Sequence, residues 1–356
     1  MAYTTIDDPS QYFQTKIYTG NGSSQSLTFD GNSDMQPDWL WTKSRGDNSD
    51  PIMRDSSRGI ANRLLVHATD AEGGATGTTS FDSDGFSLDS TGTVNANTQT
   101  FVAWGWKANG GTTTTNDASA TSVGTIDSVY QANTTAGFSI VTHTGTGSAG
   151  TIAHGLGAVP KWMLIKRRTG TAENWCNYHA SNTSAPATDV FFLNTNDATA
   201  DTDSVWNDTD PTSTVFSVKD GGAVNESGGT YVTYLFTPIQ GYSKFGSYTG
   251  NGDADGPFVY TGFKPAWVMI KNTSASANWH IYDNKRDAIN VVETALKANS
   301  NGAEFTTSNK LDFVSNGFKN RAGDQVSTNT SGSTYVYFAF AEHPFVSSEG
   351  APVTAR

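Results

Sequence analysis

Cysteine is nearly absent from this 356-residue chain: Cys176 stands alone, so no intrachain disulfide can form. Stability in a harsh exterior would have to come from β packing or assembly. Charge is also scarce, at 16% of residues, and 34 Asp and Glu outnumber 22 Lys and Arg for a formal net charge of −12. A surface that tracks phosphates needs clustered cations, so nucleic acid is not expected as a partner. No run of about 18 apolar residues occurs, which argues against membrane insertion. The opening Met1 to Phe13 lacks a basic segment followed by an apolar one. A soluble product without a conventional export signal is expected.

What the chain has in abundance is Thr (49), Gly (36) and Ser (36), together more than a third of it, with 41 aromatic residues. Disordered chains are poor in aromatics, so the composition is that of a folded, turn-rich β protein. At roughly 100–200 residues per domain, the length suggests two or three domains.

Internal self-similarity is the most informative feature. The spacing Pro-x-Trp-x-x-x-Lys occurs at Pro37, Trp39 and Lys43, at Pro160, Trp162 and Lys166, and at Pro265, Trp267 and Lys271. Upstream of each lies a Gly-rich turn, Tyr18 to Gly22, His143 to Gly147 and Tyr248 to Gly252. Downstream come an apolar residue or pair before a polar turn (Ala68 to Ala71, Thr195 to Ala198, Asn299 to Gly302), a Phe-centred strand start (Phe86, Phe216, Phe318) and a run of alternating aromatics ending at Trp106, Phe236 and Phe340. Five landmarks in one order, three times, define a repeat of about 100 residues, too long for a solenoid rung. The expected architecture is all-β, three tandem jelly-roll-like β-sandwich domains: 1–108 with an N-terminal docking segment, 137–240 and 241–346. A Thr/Gly-rich linker is expected at 109–136, around the run Gly110 to Thr115, and a C-terminal tail at 347–356. The segments Trp39 to Lys43, Trp162 to Lys166 and Trp267 to Lys271 read as strands covered on both faces. Asp-Gly and Asn-Gly pairs punctuate the strands as turns. Only Asp287 to Lys297 has helical periodicity, although its counterpart in the second unit reads as a strand.

Catalytic signatures are missing. There is no G-x-S-x-G elbow, H-E-x-x-H, Walker loop or C-x-x-C pair. The Gly-rich turns have no following helix to cradle a phosphate and read as hairpins. His154 reads as a turn residue. His280, with an analogous Tyr178–His179 in the second unit, reads as a structural histidine, the alternative being a small polar pocket. The stretch Asp82 to Asp89 carries three carboxylates but lacks an acid at position 93, where an EF-hand would need one, so it reads as a hairpin turn. Paired acids for glycoside cleavage would have to meet in space about 5–9 Å apart, which spacing along the chain does not reveal. No cofactor or metal is expected. Trp39, Trp162 and Trp267 read as repeat core. Trp41, Trp106, Trp175, Trp206 and Trp279 are not fully repeated and are the candidates for a ligand surface or subunit contact.

The opening Ala2 to Pro9, the phrase Thr135 to Thr142 with His154 to Gly157 and Pro160, and the ending Phe345 to Arg356 resemble repeat-containing virion structural, tail-fibre-like proteins of tailed bacteriophages of marine and cyanobacterial hosts. The resemblance supplies no catalytic residues. It implies a non-enzymatic virion protein, assembled in the host cytoplasm and displayed on tail or capsid, with other virion proteins as partners and host surface polysaccharide as a ligand. A homo-oligomer, a trimer by preference, and docking through Ala2 to Lys16 or Ser347 to Arg356 are further expectations. The alternatives are a polysaccharide depolymerase and a cellular carbohydrate-binding module.

Overall fold

A computed structural model describes residues 3–353, and almost all of its regular structure is antiparallel strand. The fold is all-β, built from sandwiches. One strand order recurs in three sheets. An opening strand (Phe13–Thr19, Phe138–Thr144, Ser243–Thr249) pairs with the closing strand (Thr100–Trp106, Thr230–Phe236, Thr334–Pro344). The closing strand pairs on its other side with the tryptophan strand (Trp39–Ser44, Trp162–Arg167, Phe263–Asn272). A fourth strand (Ile52–Asp55, Cys176–His179, His280–Asp283) and a fifth (Leu64–Leu65, Asp189–Phe192, Val292–Lys297) complete the order.

Side chains on a strand alternate between faces, and here both faces are buried. Leu40, Met163 with Ile165, and Val268 with Ile270 face outward into three separate cores, closed by smaller layers containing Phe86, Phe216 and Phe318. Trp39 with Trp41, Trp162 with Leu164, and Trp267 with Met269 face the other way, into a single core that all three units share. The expectation of self-contained domains in tandem is therefore corrected: each unit owns one core and contributes a third of another.

The stretch 109–136, expected as a linker, carries strands Thr114–Asn116 and Ser128–Asn133, which extend the second sheet beyond its opening strand. Asp287 to Lys297 forms no helix: residues 292–297 are the fifth strand, because strand pairing and burial of Val292, Ala295 and Leu296 override local periodicity. The expected docking segments pack onto the fold instead of standing free. Ile6 is buried in the shared core, Thr4 donates to the Gln240 carbonyl at 2.8 Å, and Asp7 accepts from the Ser348 amide at 2.7 Å. Ala2 and residues 354–356 of those segments lie outside the described residues.

The Gly-rich turns are strapped down by one buried asparagine each, which the sequence reading passed over. Asn95, Asn225 and Asn329 accept from the backbone of Asn21, Thr146 and Asn251 at 2.9–3.0 Å, and each donates to two further carbonyls. A Cβ on Gly20, Gly145 or Gly250 would meet the carbonyl oxygen of the residue after that asparagine at 2.2–2.3 Å, so close backbone approach requires glycine there.

Candidate functional site

The Lys that ends the repeated motif explains the polar turn downstream of it. Lys43, Lys166 and Lys271 are fully buried, and each ammonium donates to a backbone carbonyl in the preceding unit's polar turn: Ser300 at 2.6 Å, Thr69 at 2.7 Å and Asn196 at 3.2 Å. The contacts run first to third, second to first and third to second unit, a closed ring. Burial lowers all three pKa values, to about 7 for Lys43 and about 8 for Lys166 and Lys271.

Closing strands extend the same ring. Tyr234 stacks on Trp39, Phe338 packs edge-on against Trp162, and Trp104 does so against Trp267, with centroids 4.6, 4.7 and 6.4 Å apart. Each also faces the end of the neighbour's fourth strand. The Tyr234 hydroxyl donates to Asp55 at 2.7 Å and the Trp104 indole to Asp283 at 3.2 Å. Phe338 has no donor, and it meets His179, ring to ring at 5.0 Å. His179 thus corresponds to Asp55 and Asp283, as pairing to Trp162, Trp39 and Trp267 shows, so the expected analogy between His179 and His280 is out of register by three residues.

Around each aspartate the network is ionic. Arg58 pairs with Asp55 at 2.5 Å and with Glu72 at 2.8 Å, and Arg168 of the second unit grips Glu72 with two bonds. Arg286 pairs with Asp283 at 2.6 Å, and Arg45 of the first unit grips Glu304 with two bonds of 2.8 Å. In the seam between the second and third units the corresponding contacts are neutral: Thr199 donates to Asn182 at 2.8 Å, and its amide donates to the Thr273 carbonyl at 3.0 Å.

Trp39, Trp162 and Trp267 lie fully buried in the shared core. Trp41, Trp106, Trp175, Trp206 and Trp279, expected at a ligand surface or subunit contact, are fully buried as well. Trp41 and Trp106 point inward by strand alternation. Trp175 and Trp279 reach across seams to the carbonyls of Leu65 at 2.9 Å and Phe192 at 3.0 Å, making subunit-like contacts within one chain. Trp206 fills the second unit's outer core and donates to the Asp189 carbonyl at 3.1 Å.

Histidines and carboxylates singled out earlier are likewise engaged in structure. His154 is buried, with its ring nitrogens on the Thr212 carbonyl and the Leu156 amide. His280 lies beside the Tyr282 hydroxyl at 3.2 Å. Asp82 accepts from the Ser80 and Ser87 hydroxyls, and Asp89 from the Gly77 and Thr91 amides. A surface groove of about 870 Å³ in the third unit is lined in part by Asp287, Ile289 and Glu342. The Asp287 carboxylate is consumed by the Glu293 and Thr294 amides, and Glu342 pairs with Lys264 at 2.7 Å.

One feature remains unspent on packing. Among the described residues, Phe258 and Tyr260 are the only exposed aromatic side chains, at 49% and 46%. They lie on the same face of Phe258–Tyr260, the terminal strand of the third unit's sheet. The Tyr260 hydroxyl meets that of Tyr3 at 3.0 Å, and the Lys244 ammonium sits 5.0 Å from the Tyr260 ring centre. Pairing of Val259 with Phe318, Leu27 with Phe86 and Ile152 with Phe216 aligns the three units here. The first unit then has Ser26 and Thr28, and the second Thr151 and Ala153, where the third has the two aromatics. That register comparison is the signal that could have found them from sequence.

Fold and site together describe a closed β scaffold whose repeated polar groups serve the seams. The chain belongs to the family described as a domain of unknown function (DUF7483), which matches residues 8–344 and so spans all three units. The chain matches no curated protein.

Proposed function

We propose that this protein is a non-enzymatic structural component of a bacteriophage particle, displayed on tail or capsid, that presents its outer surface to host saccharide. The observation that carries the reading is where the chemistry goes. The three buried Lys of the repeat and the buried Asp55 and Asp283 are bonded across unit seams, and the two exposed aromatics found among the described residues sit on an outer edge. Such a scaffold offers a surface more than a reaction cleft. No helix among the described residues is long and apolar enough to cross a membrane, and the acidic balance disfavours nucleic acid. Other virion proteins are the proposed partners.

Mass spectrometry and electron microscopy of purified particles test the reading. Presence at a defined position on tail or capsid is expected, and absence from particles would sink it. Release of reducing ends from host polysaccharide by the purified chain would replace it with a depolymerase. Mass photometry, free and in the particle, tests the expected homotrimer.

A further inference from the structure

We propose that the edge strand Phe258–Tyr260 is a saccharide-binding strip selective for anionic sugars. The proposal rests on the display reading above and names the ligand class for it. Residues two apart on a strand place their rings roughly 6.5–7 Å apart on one face, which suits the apolar faces of neighbouring sugar rings. Two half-exposed rings are too little for a stable protein partner, whose patch would cover on the order of 800 Å².

The charge argument comes from Lys244. Its ammonium bonds to the Tyr260 carbonyl at 2.7 Å and lies over the Tyr260 ring, and it forms none of the fifteen ion pairs found among the described residues. The nearby cations Lys319 and Arg321 are by contrast tied to Asp255 and Asp312. An uncompensated cation against a stacking platform selects a carboxylate or a sulfate ester on the sugar. The platform is specific to the third unit, because the aligned positions hold Ser26 and Thr28, and Thr151 and Ala153, in the others.

Affinity electrophoresis of the full chain in native gels containing polygalacturonate, dextran sulfate or neutral dextran tests this. The chain's net charge of −12 repels polyanions overall, so retardation by one reports a local site. Retardation by at least one of the two anionic polymers, stronger than by dextran, is expected, and whichever polymer retains the chain identifies carboxylate or sulfate ester as the group read. The double variant Phe258→Ser/Tyr260→Ala, which installs residue types found in the sister units, should weaken retention roughly tenfold or more. Lys244→Gln should lower retention by the anionic polymers about two- to fivefold and leave any retention by dextran unchanged. Unchanged thermal unfolding certifies that the variants are folded. No retardation of the parent chain, equal retardation by dextran, or full retention by the double variant would overturn the proposal. Those failures leave the particle experiment untouched, and absence from particles would in turn leave a saccharide strip standing.

Discussion

Two of the three seams carry buried ion pairs and the third, neutral apart from its buried lysine, carries none, although all three use the same strands in the same order. Between the first and second units, and between the third and first, a buried aspartate is held by an arginine and receives an N–H or O–H from the neighbour's closing strand. Between the second and third units the closing strand presents Phe338, which donates nothing, and the aspartate's place is taken by His179. The ring nitrogens of His179 engage the Ser181 amide at 3.1 Å and the Tyr337 carbonyl at 3.3 Å, an arrangement that fits the neutral imidazole. A buried carboxylate without its donors would be costly, so a seam that loses the donor does better without the charge. The scaffold keeps its shape, its buried lysine and its backbone contacts around the ring, and the ion pairs are an accessory present or absent as a set.

The comparison is broken hardest by removing one member of an ionic seam. Asp55→Ala leaves Arg58 buried beside an unfilled site and should cost about 3–5 kcal/mol in denaturant unfolding. His179→Ala, at the corresponding place in the neutral seam, should cost clearly less, and equal losses would erase the distinction.

Acid should act through the buried histidines, of which His179 lies at the seam without ion pairs. Burial pushes the pKa of His143, His154, His179 and His280 from 6.5 to about 4. Between those values the unfolded chain takes up protons that the folded chain refuses, so stability falls as pH drops from 6.5 towards 4. His179→Gln should remove roughly 3 kcal/mol of that loss, measured as the difference in unfolding free energy between pH 6.5 and 4. An unchanged difference would refute the assignment.

A gentler cut is Tyr234→Phe, which makes the donor side of the first seam resemble that of the neutral one. Loss of a hydrogen bond to a charged acceptor should cost about 1.5–3 kcal/mol, whereas Phe338→Leu, which has no hydrogen bond to lose, tests packing alone. The smallest effect concerns a feature common to all seams. Lys43 titrates near 7 when folded and 10.5 when unfolded, so the unfolded chain holds the proton longer and stability rises with pH through that window. Lys43→Met should remove about 1 kcal/mol of the gain between pH 7.5 and 8.5, read from unfolding midpoints at the two values.

Much of the fold was legible because it is written locally. The three-fold landmarks, the hairpin turns and the strands apolar on both faces follow from spacing and periodicity along the chain. The buried Lys was visible as a repeated residue, and so was its acceptor turn, but nothing local says that they meet across a seam. The tryptophans show the limit most clearly. Failure to repeat suggested exposure for Trp41, Trp106, Trp175, Trp206 and Trp279, whereas a second buried face, supplied by the other units, absorbed four of them and the second unit's own outer core absorbed Trp206. Phe258 and Tyr260 were hidden for the converse reason: aromatic residues in a strand read as core until pairing register shows that their face has nothing over it.

Residue type and short-range period are enough to specify an all-β chain, with turns placed by Gly and Asn and with a five-landmark unit written three times. That the units close around one shared core, that two seams carry ion pairs and one does not, and which two aromatic rings among the described residues are left for solvent were settled in three dimensions. Those outcomes depend on contacts between residues scores to hundreds of positions apart, and periodicity along a strand states which residues share a face but not what will cover it.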